Sequence, residues 1–104
     1  MAEARGIVRK IASERISVLY EAAVRTFPGD PDLAKGYIKL LEEIGRHYKV
    51  AIEREMAAHI CKRCNAPLIE GLNVDVRIIA REKRRLYRCS ACGTTNSLAF
   101  KRGS

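Results

Sequence analysis

The sequence predicts a small α+β protein, with an N-terminal two-helix hairpin, a linker, and a C-terminal ribbon of short antiparallel strands. Three observations carry this reading. Apolar residues recur at helical spacing through the first half of the 104-residue chain, then alternate in the second half. The only four cysteines fall in two matched pairs, Cys61-x-x-Cys64 and Cys89-x-x-Cys92, on either side of the alternating stretch. The expected divisions are 1–50 for the hairpin, 51–58 for the linker and 59–104 for the ribbon.

In the first helix Ile7, Ile11, Val18, Leu19 and Ala22 share a stripe, with Lys10, Glu14 and Glu21 opposite. Val8, Ile16, Ala23 and Phe27 widen the stripe onto a second face. Thr26-Phe27-Pro28-Gly29 breaks the helix. Asp30-Pro31-Asp32 then supplies an N-cap, a proline at the first helical position and an acid in the first turn. The second helix places Leu33, Tyr37, Leu40, Leu41, Ile44 and Tyr48 on one face and Lys35, Lys39, Glu42, Glu43, Arg46 and Lys49 on the other. A short helical piece is expected around Glu53–Ala58. In the second half Val74, Val76 and Ile78 alternate with Asp75 and Arg77, the pattern of a half-buried strand. Pro67–Glu70, Leu86–Arg88 and Ser97–Lys101 are its expected partners.

Two short-range cysteine pairs suit a tetrahedral metal, because each pair grips one edge of the tetrahedron and the intervening chain folds back to join them. The gap of 24 residues between Cys64 and Cys89 is somewhat long, but loop-closure entropy grows only logarithmically with length. Asn65 and Gly93 follow their pairs closely, where a tight turn around a metal needs backbone freedom. Disulfides would want a secreted protein, and no apolar signal region precedes the polar start at Met1–Arg5. A redox Cys-x-x-Cys normally occurs once, beside a βαβ pattern that is absent here. One structural Zn2+ held by Cys61, Cys64, Cys89 and Cys92 is the expected cofactor, with iron in a similar cage as the alternative. His59, two residues before Cys61, is a lesser ligand candidate.

The formal charge of +8 is unevenly spread. Residues 1–58 carry ten Lys/Arg against nine Asp/Glu, and residues 59–104 carry ten against three. An excess concentrated on the ribbon points to a polyanion, and nucleic acid fits better than a membrane because no basic amphipathic helix is present. The candidate phosphate contacts, RNA-binding residues if the nucleic acid is RNA, are Lys62, Arg63, Arg77, Arg81, Lys83, Arg84, Arg85, Arg88, Lys101 and Arg102. The densest run, Arg81–Arg85, is expected in a loop between two strands. Tyr87 and Phe100 could stack on bases or pack the ribbon. The hairpin has nearly balanced charge and more apolar surface than two helices can hide from each other. Ile7, Ile11, Val18, Leu19, Leu40 and Ile44 are therefore candidates for docking a protein partner.

No nucleophile–base grouping, phosphate loop or paired-acid site is legible, so the chain is not expected to catalyse on its own. No run reaches the length of a transmembrane helix. Reduced thiols and the polar start imply a cytoplasmic protein.

The motifs in order resemble those of the zinc-ribbon subunits of archaeal ribonuclease P, the protein component 4 family. They are Ala12-x-x-Arg15-Ile16-x-x-Leu19, Pro31-x-Leu33-Ala34-x-x-Tyr37, Ile44-x-x-x-Tyr48-x-Val50, Cys61-Lys62-x-Cys64, Gly71-x-Asn73-x-x-Val76-Arg77 and Cys89-x-x-Cys92-Gly93. Ala80–Arg85 departs from the pattern by being longer and more basic. The resemblance implies a ribonucleoprotein that removes the 5′ leader from precursor tRNA, with catalysis by its RNA subunit. It implies that the helices bind a small β-barrel protein subunit and that the four cysteines are the zinc ligands. The competing readings are a basic zinc-ribbon ribosomal protein or a transcription-associated one. Transcript-cleavage ribbons carry an Asp-Glu pair at the hairpin tip, whereas Arg81–Arg85 has only Glu82.

Overall fold

A computed structural model describes residues 2–99. Helices α1 (Ala2–Thr26) and α2 (Pro31–Tyr48) form the hairpin, and the short α3 (Arg54–Ala58) follows. An antiparallel sheet completes the order with β1 (Val74–Ile79), β2 (Arg84–Cys89) and β3 (Thr95–Ala99), β2 in the middle.

The breaker between α1 and α2 acts as its composition dictates. Asp30 N–H donates to the Thr26 carbonyl at 2.8 Å, ending α1. Asp30 Oδ1 accepts from Leu33 N–H at 3.2 Å, capping α2 with Pro31 in its first turn. Such a cap contributes about 1 kcal/mol. At the far end Lys49 takes a left-handed conformation (φ 56) and Val50 N–H returns to the Gly45 carbonyl at 2.9 Å.

The faces on which the helices meet differ from the stripes of large residues. Small residues alternate with large ones there: Ala12, Ile16 and Ala23 of α1 are buried, as are Ala34, Ile38, Leu41 and Gly45 of α2. Small side chains let the axes approach, and Leu19, Tyr20, Phe27, Tyr37 and Ile44 seal the margins. Leu33, Leu40 and Tyr48 stay exposed, together with Ile7, Ile11 and Val18. Gly45 has a further reason to be glycine. A Cβ there would stand 3.0 Å from the Val50 carbonyl oxygen and 3.4 Å from Ile52 Cδ1.

Residues 51–58 do more than connect. Ile52 and Met56 pack into the hairpin cluster, while Ala58 belongs to a second cluster with Cys61, Leu68, Val74, Tyr87 and Cys89. Burial raises the Tyr20 phenol pKa above its ordinary value, and the nearby Glu55 carboxylate adds to the shift. The buried Asn96 of β3 then donates through Nδ2 to two carbonyls, Ala58 at 3.0 Å and Ile60 at 2.7 Å.

Three strand expectations need correction. Pro67–Glu70 is not a strand, since only isolated bridges Ile60–Pro67 and Glu70–Val74 form there. β1 is not half-buried along its length: Val74 is buried, but Val76 and Ile78 are 38% and 63% exposed, because β1 is an edge strand and the second cluster takes only Val74 from it. The run 81–85 is not all loop. A 3₁₀ turn spans Ala80–Glu82, Lys83 turns the chain with φ 54, and Arg84 and Arg85 already pair in β2 with Ile79 and Ile78. Leu86–Arg88 lies in β2 as expected, and Ser97–Ala99 in β3; Phe100 and Lys101 lie outside the described residues.

Candidate metal centre and basic ribbon

Two turns with the same backbone plan bring the four sulfurs together. In the first, Asn65 N–H donates to the Cys61 carbonyl at 2.8 Å and Cys61 N–H to the Ala66 carbonyl at 2.9 Å. In the second, Gly93 N–H donates to the Cys89 carbonyl at 2.8 Å and Cys89 N–H to the Thr94 carbonyl at 2.9 Å. The residue after each pair is left-handed, with φ 60 at Asn65 and 78 at Gly93. Asparagine and glycine are the residues that tolerate this region best.

The Sγ atoms of Cys61, Cys64, Cys89 and Cys92 all lie within 4.8 Å of one another. The closest cross-turn pairs are Cys61–Cys92 at 3.3 Å and Cys64–Cys89 at 3.8 Å, and all four thiols are free of disulfides. Tetrahedral bonds of about 2.3 Å to sulfur put the sulfurs about 3.8 Å apart, so the cage fits one tetrahedral ion. Cys61 and Cys89 are buried; Cys64 and Cys92 are half-buried. Burial is the main reason the Cys64 thiol is pushed up to about 12, with the neighbouring thiols Cys61 and Cys89 adding. Cys92 is lowered to about 6, chiefly by the Thr94 hydroxyl, whose Oγ1 lies 3.2 Å from the sulfur, and by the Thr94 backbone. Thiolates this close repel one another. A divalent cation removes that conflict by stabilising all the thiolates.

His59 is not part of the cage. Its ring lies 4.5 Å from that of Tyr87, and its Nδ1 is 2.8 Å from the Glu55 carbonyl oxygen. A carbonyl only accepts, so Nδ1 carries the proton. Tyr87 is 1% exposed and packs the second cluster, which settles it as core.

The sheet register sorts the basic residues. Arg77, Arg84 and Arg88 are exposed on one face, while Arg85 is half-buried on the other beside Leu98. Lys62 and Arg63 are exposed in the first cysteine turn, and Arg81 and Lys83 around the 3₁₀ turn. Lys101 and Arg102 lie outside the described residues. Of the docking candidates, Ile7, Ile11, Val18 and Leu40 are exposed, whereas Leu19 and Ile44 are half-buried against the hairpin cluster.

Sequence reasoning named Asn73 only as part of a motif and missed Asn96, and gave neither a role in holding the site. Asn73 Oδ1 accepts from Ile69 N–H at 2.7 Å and its Nδ2 donates to the Pro67 carbonyl at 2.9 Å, shaping the approach to β1. Asn96 ties β3 to the first cysteine turn. A lone asparagine in a strand is unfavourable, and that was the available signal.

Comparison with known proteins agrees with this geometry. A family model described as the RNAse P Rpr2/Rpp21/SNM1 subunit domain matches residues 15–93. Ribonuclease P protein component 4 of Pyrococcus furiosus is 40% identical over 88 residues, covering 82% of this chain and 74% of that protein. Its counterpart in Pyrococcus horikoshii is 43% identical over 88 residues, with 82% and 72% covered. Among solved structures, a chain of archaeal ribonuclease P bound to mature tRNA superposes with a TM-score of 0.76 at 30% identity. It covers 88% of this chain and 78% of that one. The Pyrococcus furiosus Rpp21 structure superposes at 0.56 with 33% identity, covering 86% and 99%.

Proposed function

The chain belongs to the Rpr2/Rpp21/SNM1 family of ribonuclease P subunits, and from that premise we propose how its parts serve the ribonucleoprotein. It is a protein subunit of ribonuclease P, acting in tRNA processing and binding RNA. In the proposed division of labour the RNA subunit performs the hydrolysis that frees the 5′ leader of precursor tRNA. This chain holds RNA in shape and contacts the enzyme's RNA, the precursor, or both.

The observation that carries the reading is the joint match in sequence and fold to ribonuclease P subunits, including one seen in a complex with tRNA. Residues 59–104 supply the RNA-contacting ribbon, closed by one Zn2+ on Cys61, Cys64, Cys89 and Cys92. That ion's contribution is structural, since all four positions of a tetrahedron are taken by thiolates and none is left for water or substrate. Residues 1–50 supply the protein contact, and residues 51–58 brace the two parts.

The partner proposed for the hairpin is a small β-barrel subunit. Ile7, Ile11, Val18 and Leu40 support this, because they are apolar, exposed and carried on helices of nearly balanced charge. Among the described residues no helix is long and apolar enough to cross a membrane, and the proposed place of work is the cytoplasm.

Affinity capture of the chain from native extract, followed by sequencing of the bound RNA, tests this reading. Enrichment of ribonuclease P RNA is expected. Enrichment of ribosomal RNA alone would overturn it in favour of a ribosomal ribbon.

A further inference from the structure

The ribbon sheet has two chemically different faces, and only one is open along its length. On one face Val74, Val76 and Ile78 stand beside Cys89, Tyr87 and Arg85, and these beside Asn96 and Leu98. That side receives α3: Asn96 reaches the Ala58 and Ile60 carbonyls, and Arg85 shares a hollow with Glu53, Arg54, Glu55 and Leu98. The opposite face carries Asp75, Arg77 and Ile79 on β1, Arg88, Leu86 and Arg84 on β2, and Thr95, Ser97 and Ala99 on β3.

We infer that this second face is a docking surface for the sugar–phosphate backbone of an A-form RNA helix, with Arg84, Arg77 and Arg88 as its phosphate contacts. The inference rests on the ribonuclease P reading and gives it a specific surface. Three arguments carry it.

The first is charge and spacing. Arg84 and Arg88 lie four residues apart on β2, about 13 Å, and Arg77 pairs with Leu86 midway between them on the neighbouring strand. The three side chains therefore leave the backbone roughly 8 Å apart along a zigzag, from the strand rise and the interstrand spacing. All three residues are exposed. A hollow of about 450 Å3 opens among Asp75, Arg77, Leu86, Arg88, Gly93 and Thr95.

The second argument is the absence of stacking groups. No aromatic residue lies on this face of the described strands, and Tyr87 is buried on the other side. Single-stranded RNA is held largely by stacking, so a ring-free cationic face suits backbone contact better. A shallow minor groove lined by 2′-hydroxyls can meet a sheet, and the exposed Thr95 and Ser97 hydroxyls are suited to bond it.

The third is that the same register removes Arg85 from the phosphate-binding set. It is half-buried, sits among acids, and already has a partner within the chain. Adjacent arginines in one dense basic run thus have opposite roles. Arg84 faces RNA and Arg85 positions the ribbon against α3.

The test uses the full-length, metal-loaded chain with a blunt RNA duplex and a single strand of the same sequence. The Arg77→Gln/Arg84→Gln/Arg88→Gln variant should bind the duplex more weakly and reduce the slope of log K against log salt by about 2 to 3, near 0.9 per phosphate contact. Arg85→Gln should leave that slope unchanged, and Asp75→Asn should tighten duplex binding by removing the one acid on the face. Metal content must match the wild type in each variant. An unchanged slope in the triple variant would overturn the inference, as would an equal loss in Arg85→Gln or a wild-type preference for the single strand. If the triple variant keeps its RNA affinity but loses a protein subunit, the face belongs to protein and the inference also falls. Failure of the wild type to join ribonuclease P RNA at all would instead sink the underlying reading of function.

Discussion

Asn65 and Gly93 hold equivalent places in two turns 28 residues apart in sequence: each follows its cysteine pair, each is left-handed, and each returns its N–H to the first cysteine at 2.8 Å. The cage is therefore built twice from one backbone plan, and the two copies supply the left-handed residue differently. For Gly93 the missing Cβ removes the backbone penalty. For Asn65 a short polar side chain tolerates it.

Replacing Gly93 with valine should accordingly weaken the second turn. A β-branched residue in the left-handed region costs on the order of 1 to 2 kcal/mol. Asn65→Gly should be tolerated. Metal affinity of the two variants, measured by competition with a chelator, should fall for the first and hold for the second. Equal losses would mean that side-chain contacts, not backbone conformation, select these residues.

Loss of a ligand should act more broadly. With Cys89→Ser the chain should lose its metal and the ordered packing of Tyr87 while keeping most helicity, because the hairpin has its own apolar cluster. Near-ultraviolet and far-ultraviolet dichroism separate the two effects. Full metal occupancy in this variant would contradict the four-sulfur cage.

The brace between β3 and the first cysteine turn should be sensitive to the chemistry of one amide. Asn96→Ala leaves the Ala58 and Ile60 carbonyls without their donor and should cost about 2 to 3 kcal/mol. Asn96→Asp should be worse at neutral pH, since it turns a donor into an acceptor facing two acceptors. Chemical denaturation of the metal-loaded protein ranks them. A milder effect for aspartate would rule out the donor role.

How much of this was legible before the structure depends on whether the cause was local. Each cysteine turn, the Asp30 cap and the switch from helical to alternating period depend on near neighbours, and each lies where its spacing placed it. The buried helix faces followed only in part from the expected stripes: Ile16, Ala23 and Leu41 are buried as expected, but Ile38 and Ala34 were not assigned to a stripe and Gly45 matters through what it leaves room for. Gly45→Val should therefore destabilise the hairpin despite valine's greater apolar surface, as its side chain would meet Val50 and Ile52. The split between Arg84 and Arg85 was also hidden. A one-residue difference in register decides it, and the composition of a basic run does not reveal which residue pairs with which.

Ile11 and Ile16 give a clean contrast for the proposed protein contact. Ile16 is 4% exposed and Ile11 is 47% exposed. Ile11→Asp should leave helicity and metal content intact while abolishing binding to the protein subunit, whereas Ile16→Asp should unfold the hairpin through a buried, unpaired carboxylate. Unchanged partner affinity in Ile11→Asp would move the interface to another surface.

The central claim is that this chain supports ribonuclease P action, and reconstitution tests it most directly. Ribonuclease P RNA, the other protein subunits and a precursor tRNA would be combined with the metal-loaded chain, with Cys89→Ser, or with neither, and 5′-leader release followed under single-turnover conditions. The expected result is faster leader release with the intact chain than with the variant or with nothing added. Equal rates in all three would contradict the account.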